Sequence, residues 1–201
     1  MKRMCMTLMS VLLISLCTIA QEAPARIHEI GLTLSNLDNF GVRYKIGNEK
    51  TLLRMTFLTI NGTHLNTSQD SEDYYENGSL GFGFNIGFEK RNPIAEKMFF
   101  YYGLDAITSY SHQKSELVQT GGKTTSSTIA PGVGFVLGLN YSISSRFNIS
   151  AELVPSLIYS YTKSTTISNG VETEMINKSF SYGIGNSGAS LTLSFRFGKK
   201  E

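Results

Sequence analysis

Leu191-Thr192-Leu193-Ser194-Phe195-Arg196-Phe197 alternates without a break. Leu191, Leu193, Phe195 and Phe197 share one face, and Thr192, Ser194 and Arg196 share the other. A period of two predicts a β-strand with one apolar face. No later stretch of the sequence offers a partner, so the strand must pair with an earlier one and close a barrel, or leave an edge exposed.

The same alternation recurs upstream. His28 to Leu34, Phe40 to Ile46, Thr51 to Ile60, Leu80 to Glu89, Met98 to Ser111, Ile129 to Tyr141 and Phe147 to Tyr161 each read as strands, and the last strand runs from about Phe180 to Phe197. That predicts eight strands in an all-β, antiparallel up-and-down barrel, most of them at or above the roughly ten residues that a tilted strand needs to cross a bilayer. Compact turns are expected at 47–50, 91–97 and 142–145. Polar stretches at 61–77, 112–127 and 162–177 are expected as long loops, and 35–39 as a short one. Short turns at one end and long loops at the other fit an outer-membrane barrel.

The N-terminus predicts export. Lys2 and Arg3 precede an apolar run from Leu8 to Ile19, and Thr18-Ile19-Ala20 offers a cleavage site. The run is shorter than the roughly twenty residues of a spanning helix. The expected division is a signal peptide over 1–20 and a barrel domain over 21–201. Both cysteines, Cys5 and Cys17, fall in the signal, so the remainder has no thiol chemistry. Losing Lys2 and Arg3 lowers Lys+Arg from 18 to 16, equal to Asp+Glu 16, and a neutral chain is a poor nucleic-acid binder.

Two barrels fit strict alternation: a soluble one with apolar residues inside, and a transmembrane one with polar residues inside. The polar faces decide. Gly81, Gly83, Gly87, Gly132, Gly134 and Gly138 would make a poor wetted surface but suit a crowded lumen. Bulky Phe82, Phe84, Phe88, Phe135, Leu137, Leu191, Leu193, Phe195 and Phe197 are therefore expected to face lipid. Tyr44, Tyr141, Tyr159 and Tyr161 sit near expected strand ends, where interfacial aromatic girdles occur. The lumenal face carries Glu29, Glu89, Asp105 and Glu152 with Arg43, Lys45, Arg54 and Arg196. Four acids against four bases predict a paired lumenal network, because an unpaired buried charge costs several kcal/mol. Glu29 and Arg196, on the first and last strands, are the expected closing pair.

The last strand, preceded by Asn186-x-Gly188, resembles the C-terminal assembly signal of outer-membrane proteins. Pro131-Gly-Val-Gly-Phe-Val-Leu-Gly-Leu-Asn-Tyr-Ser142 and Arg146-Phe-Asn-Ile-Ser-Ala-Glu152 resemble the small outer-membrane "porin family" barrels (OmpA/OmpX-like) of the Bacteroidetes. The resemblance implies a barrel without a peptidoglycan-binding domain. One departure is Gly198-Lys-Lys-Glu201 after the final Phe, where many such proteins end on the aromatic residue.

Candidate chemistry is sparse. Gly183-Ile-Gly185-Asn-Ser-Gly188 matches GxGxxG but has no helix to open, so it reads as strand glycines. His28, His64 and His112 lack the spacing of a metal site, and neither metal nor cofactor is expected. Ser111 and His112, with Glu116 nearby, are the weighed catalytic candidates, and no catalytic residue is assigned. The expectation is a non-enzymatic monomer of the cell outer membrane, with a lumen filled by its own side chains. Its partners are outer-membrane lipid, the barrel-assembly machinery and any surface ligand held by the loops at 61–77, 112–127 and 162–177. Its role is surface interaction or envelope integrity. The alternatives are a lipid-modifying barrel enzyme and a soluble periplasmic barrel around an apolar ligand.

Overall fold

The computed structural model describes residues 26–35, 40–69, 73–117, 122–168, 170–184 and 188–197, with the side chains of 58–76 and 117 outside that description. The expected signal peptide, the 35–39 loop beyond Ser35, Gly185 and the C-terminal Gly198-Lys-Lys-Glu201 lie outside the described residues. Every regular element described is a strand: β1 (Ile27–Leu34), β2 (Phe40–Gly47), β3 (Thr51–Gln69), β4 (Asp73–Ala95), β5 (Met98–Leu117), β6 (Gly122–Ser142), β7 (Phe147–Leu153), β8 (Ser156–Ser168), β9 (Val171–Gly183) and β10 (Ala189–Phe197).

All pairings are antiparallel, and they close a barrel. Each strand from β1 to β6 pairs with the next, β7 pairs with β10, and β10 pairs back to β1 with Glu29 opposite Arg196. The barrel has eight staves rather than ten, because β7 and β8 are two halves of one stave and β9 and β10 two halves of another. β6 shows this directly: Leu137–Ser142 pair with β7, and Lys123–Gly134 pair with β8. The stave expected as one strand over 147–161 breaks at Val154-Pro155, since proline cannot donate to the ladder. The stave expected as one strand from Phe180 breaks at Ile184. Gly183 ends β9 with φ 129°, a backbone conformation that favours glycine.

In the three stretches expected as polar loops, the described residues other than Gly170 are instead in strands. β3–β4, β5–β6 and β8–β9 run as long hairpins well beyond the eight-stranded zone, and β4 alone has 23 residues. Composition misled there, because threonine is β-branched and favours strands. Facing hydroxyls also bond across the sheet, at Thr124–Thr166 (3.3 Å), Ser126–Ser164 (2.7 Å) and Thr128–Thr162 (2.8 Å). The turn expected over 91–97 shrinks to Glu96-Lys97, with β4 paired to Ala95.

β1 and β2 stop short of these hairpins. The extended wall is therefore a curled sheet open between β9 and the outer half of β3. Among the described residues β9 pairs only with β8, and every residue along it is exposed.

Alternation sorts the faces sharply. Glu29, Arg54, Glu89 and Asp105 are at most 2 % exposed, whereas Leu32, Phe82, Phe88, Leu191 and Leu193 are about half or more exposed. Phe84, Leu137 and Phe195 lie on the same outer side, half-buried by neighbours, and Phe135 and Phe197 are exposed there. The apolar face points outward and the polar face inward. That arrangement removes the soluble barrel with an apolar interior. Outward aromatic contacts occur toward both ends of the apolar face. His28 stacks on Phe197 at 5.4 Å beside Tyr44, and Phe147 meets Phe195 at 5.2 Å, at the end carrying the short turns. Phe82 meets Tyr110 at 5.4 Å toward the other end. Phe100 and Tyr110 lie on one strand, ten residues apart. That spacing is about 33 Å along the strand and about 25 Å along the axis at a usual tilt, close to the height of a transmembrane apolar band.

Candidate functional site

The barrel interior is a column of charged side chains. At its centre is Glu152 on β7. Arg54 approaches it with both terminal nitrogens, Nη1 to Oε2 and Nη2 to Oε1, each at 3.0 Å. Arg43 Nη2 donates to Oε1, Tyr101 donates its hydroxyl to Oε2 at 3.1 Å, and Ser190 donates to Oε1 at 3.1 Å. Five donor contacts satisfy one carboxylate, which is what a buried anion requires.

Below lies a second centre. Lys45 Nζ reaches Glu89 Oε2 at 2.8 Å, and Arg91 Nε reaches Glu89 Oε1 at 2.8 Å. Arg91 also grips Glu29 bidentately, at 2.9 and 2.7 Å. Arg196 Nε adds a contact to Glu29 Oε1 at 3.0 Å. The two centres touch where Arg54 Nη1 stands 3.6 Å from Glu89. Arg54 Nε also faces Asp105 Oδ1 at 3.2 Å, an ion contact without hydrogen-bond alignment that leaves both Asp105 oxygens without a donor.

Hydroxyls and rings complete the packing. Arg43 donates to Thr56 and Thr192, both at 3.0 Å, and Thr192 meets Thr33 at 2.9 Å. The Lys45 ammonium sits 5.0 Å from the centroid of the Tyr101 ring. β6 contributes no charge here. Its Gly138 leaves the space that the Tyr101 ring fills.

The structure thus brings Glu29, Arg43, Lys45, Arg54, Glu89, Asp105, Glu152 and Arg196 onto the inner face, all in ion pairs. Sequence reasoning missed Arg91 and Tyr101. Arg91 follows Glu89 by two residues and continues its face, but Asn92-Pro93 read as a turn. Tyr101 lies in Phe99-Phe100-Tyr101-Tyr102, where four rings in a row hide the alternation. With Arg91 included, five cations face four carboxylates among the described residues.

The catalytic candidates do not meet. Ser111 and His112 are neighbours on β5 and so point to opposite faces. His112 instead lies across from Ser127 on β6, on the outer side, with Nδ1 2.9 Å from the Ser127 hydroxyl. On the same outer face, Lys114 hydrogen-bonds Glu116 and holds its carboxyl below the ordinary range, while Glu174 raises Lys163. Both pairs are exposed and add little stability. His28 bonds the Tyr44 hydroxyl at 2.6 Å, and the His64 side chain lies outside the described residues. No cluster of metal-ligating side chains occurs among the described residues.

No protein-family model and no curated protein matches this sequence. Solved structures do. A major outer membrane protein from Thermus thermophilus matches over 87 % of this chain and 100 % of its own, with TM-score 0.54 and 8 % identity. Ail, the attachment invasion locus protein of Yersinia pestis, covers 87 % of this chain and 100 % of its own at TM-score 0.41 and 11 % identity. Neisserial surface protein A covers 85 % and 92 % at TM-score 0.32 and 12 % identity. At such identities the likeness speaks to architecture, and the Thermus match carries it: the chain is a closed, eight-stranded antiparallel β-barrel of the kind found among outer-membrane proteins.

Proposed function

We propose that the chain is an integral outer-membrane barrel whose lumen is filled by its own side chains, and that it acts through its projecting hairpins. One observation carries this reading. The barrel is inside out relative to a soluble protein, with Arg54 and Glu89 at most 1 % exposed and Phe82, Phe88 and Leu191 more than half exposed. Only a surrounding apolar solvent makes that distribution favourable.

Short turns and both ends of the strand-forming chain share one end of the barrel, which becomes the periplasmic side. The β3–β4, β5–β6 and β8–β9 hairpins then stand outside the cell. The packed ion column makes an open pore a poor reading. Surface contact through the hairpins or mechanical support of the envelope fits better. The proteins that such a barrel meets are the assembly machinery and whatever binds the hairpins. Heat-modifiable gel mobility and recovery in the outer-membrane fraction test the placement. Protease added to intact cells should cut within 61–77, 112–127 or 162–177 and spare the rest. A soluble chain without a heat-dependent mobility shift would sink the reading.

A second reading has one observation in its favour. The His112–Ser127 pair lies on the outer face beyond the Phe82–Tyr110 contact, where a lipid-modifying enzyme would hold a nucleophile and its base. None of its hydrogen bonds among the described residues supplies the orienting carboxylate. Unchanged lipid A in a deletion strain would remove this reading.

A further inference from the structure

The outer wall carries an apolar hollow among the described residues. Across β6, β7 and β10 the outward residues drop from bulky side chains to Ala151 and Ala189, and an apolar trough of about 700 Å³ opens between Phe100, Leu137, Leu153 and Leu191. It lies just below the breaks in the two split staves, where Val154 N donates to Gly188 O at 2.6 Å. A second hollow of about 220 Å³ shares Leu139, Ala151 and Leu191 with the first, and runs on to Met98, Tyr141 and Ile149 at the short-turn end. The two hollows lie side by side along one groove-like face, and the larger is of a size that takes small ligands.

The groove ends between two basic turns. Lys97 in the β4–β5 turn and Arg146 in the β6–β7 turn are both exposed. The turns are tied together, since Ser142 N donates to Lys97 O at 2.8 Å. Ser144 Oγ accepts from the amides of Arg146 and Phe147, at 3.3 and 3.1 Å, and fixes the second turn. The acid close in sequence is Glu96, which leaves a local excess of one positive charge. Tyr141 stands between groove and turns, at the level where aromatic side chains meet a membrane interface.

We propose that this groove is a phospholipid site. One acyl chain lies over Ala151 and Ala189, and the phosphate rests on Lys97 and Arg146. The assignment builds on the membrane reading above and adds a specific ligand to it. Charge complementarity picks an anionic phospholipid of the periplasmic leaflet, because the basic pair lies at the short-turn end. Ala151 and Ala189, flanked by Leu137, Leu139, Leu153 and Leu191, leave the acyl chain a bed between bulkier side chains.

The test uses the full barrel in detergent micelles doped with dimyristoylphosphatidylglycerol, read by native mass spectrometry. The parent protein is expected to retain one lipid. Ala151→Phe should reduce retention at least fivefold by filling the groove. The double variant Lys97→Gln/Arg146→Gln, altered only in exposed turns, should reduce it severalfold. Heat-modifiable mobility of each variant reports the folded barrel separately. A folded parent without bound lipid, or equal retention in parent and folded variants, would overturn the site while leaving the membrane reading intact. Recovery of the parent outside the membrane fraction would overturn both.

Discussion

The Tyr101 ring occupies the space that a side chain at Gly138 would need. The two residues lie opposite each other on β5 and β6, and the ring then carries its hydroxyl to Glu152, 3.1 Å away. A methyl group added at Gly138 would meet the ring itself. Gly138→Ala is expected to lower stability by about 1–3 kcal/mol, the usual cost of overpacking. Tyr101→Ala should cost more, about 3–5 kcal/mol, through the cavity it leaves. The double variant should cost less than the sum of the two, because the clash disappears with the ring. Denaturant midpoints in detergent, followed by gel mobility, measure all three.

Glu152 gathers two guanidinium groups and two hydroxyls. Glu152→Ala leaves Arg43 buried without its acid and strips Arg54 of its bidentate partner, so it should destabilise by about 3–5 kcal/mol. Glu152→Gln keeps the shape and accepts hydrogen bonds through one oxygen, and should fall between. Equal midpoints for parent and Glu152→Ala would refute the role of the ion column in holding the interior together.

Arg91 and Arg196 both bind Glu29, but not equally. Arg91 is almost fully buried and bidentate, and it also holds Glu89, whereas the Arg196 side chain is 23 % exposed. Arg91→Gln is expected to cost about 3 kcal/mol or more. Arg196→Gln should cost clearly less, since water and Arg91 remain to serve Glu29. The ordering of the two denaturant midpoints is the check.

The β8–β9 hairpin is a removable projection. Its outer part pairs with β6 alone, and β9 has no neighbour on its far side among the described residues. Replacing 163–176 with a tight Asn-Gly turn should leave the heat-modifiable barrel intact while abolishing any binding that the hairpin provides. Loss of the mobility shift would show that the hairpin is needed for the barrel itself.

Alternation made much of this legible in advance. Leu191 to Phe197, and Leu80 to Glu89, put every second residue on one face, so barrel, faces and the charged residues of those faces can be read directly. Legibility failed where alternation was masked or overruled. The Thr- and Ser-rich stretches around 124–128 and 162–166 look like loops by composition, yet their hydroxyls pair across strands, a long-range fact that no local window contains. Asn92-Pro93 hid the continuation of β4 and with it Arg91. The groove over Ala151 and Ala189 needs three strands in register before it exists, and neither alanine marks it alone.

The antiparallel pairing of β1 with β10 has a consequence for synthesis and folding. Glu29 and Arg196 are separated by 167 positions, and Glu152 is fed by donors from β2, β3, β5 and β10. Contacts of such long sequence separation form late and together. A truncated or stalled chain lacking β10 therefore holds a first strand with an unused edge. Its ion column also lacks the Arg196 and Ser190 contacts. Arrival of β10 is what converts an open, charge-exposing sheet into a sealed wall, so the molecule carries its own check that its closing strand has been made.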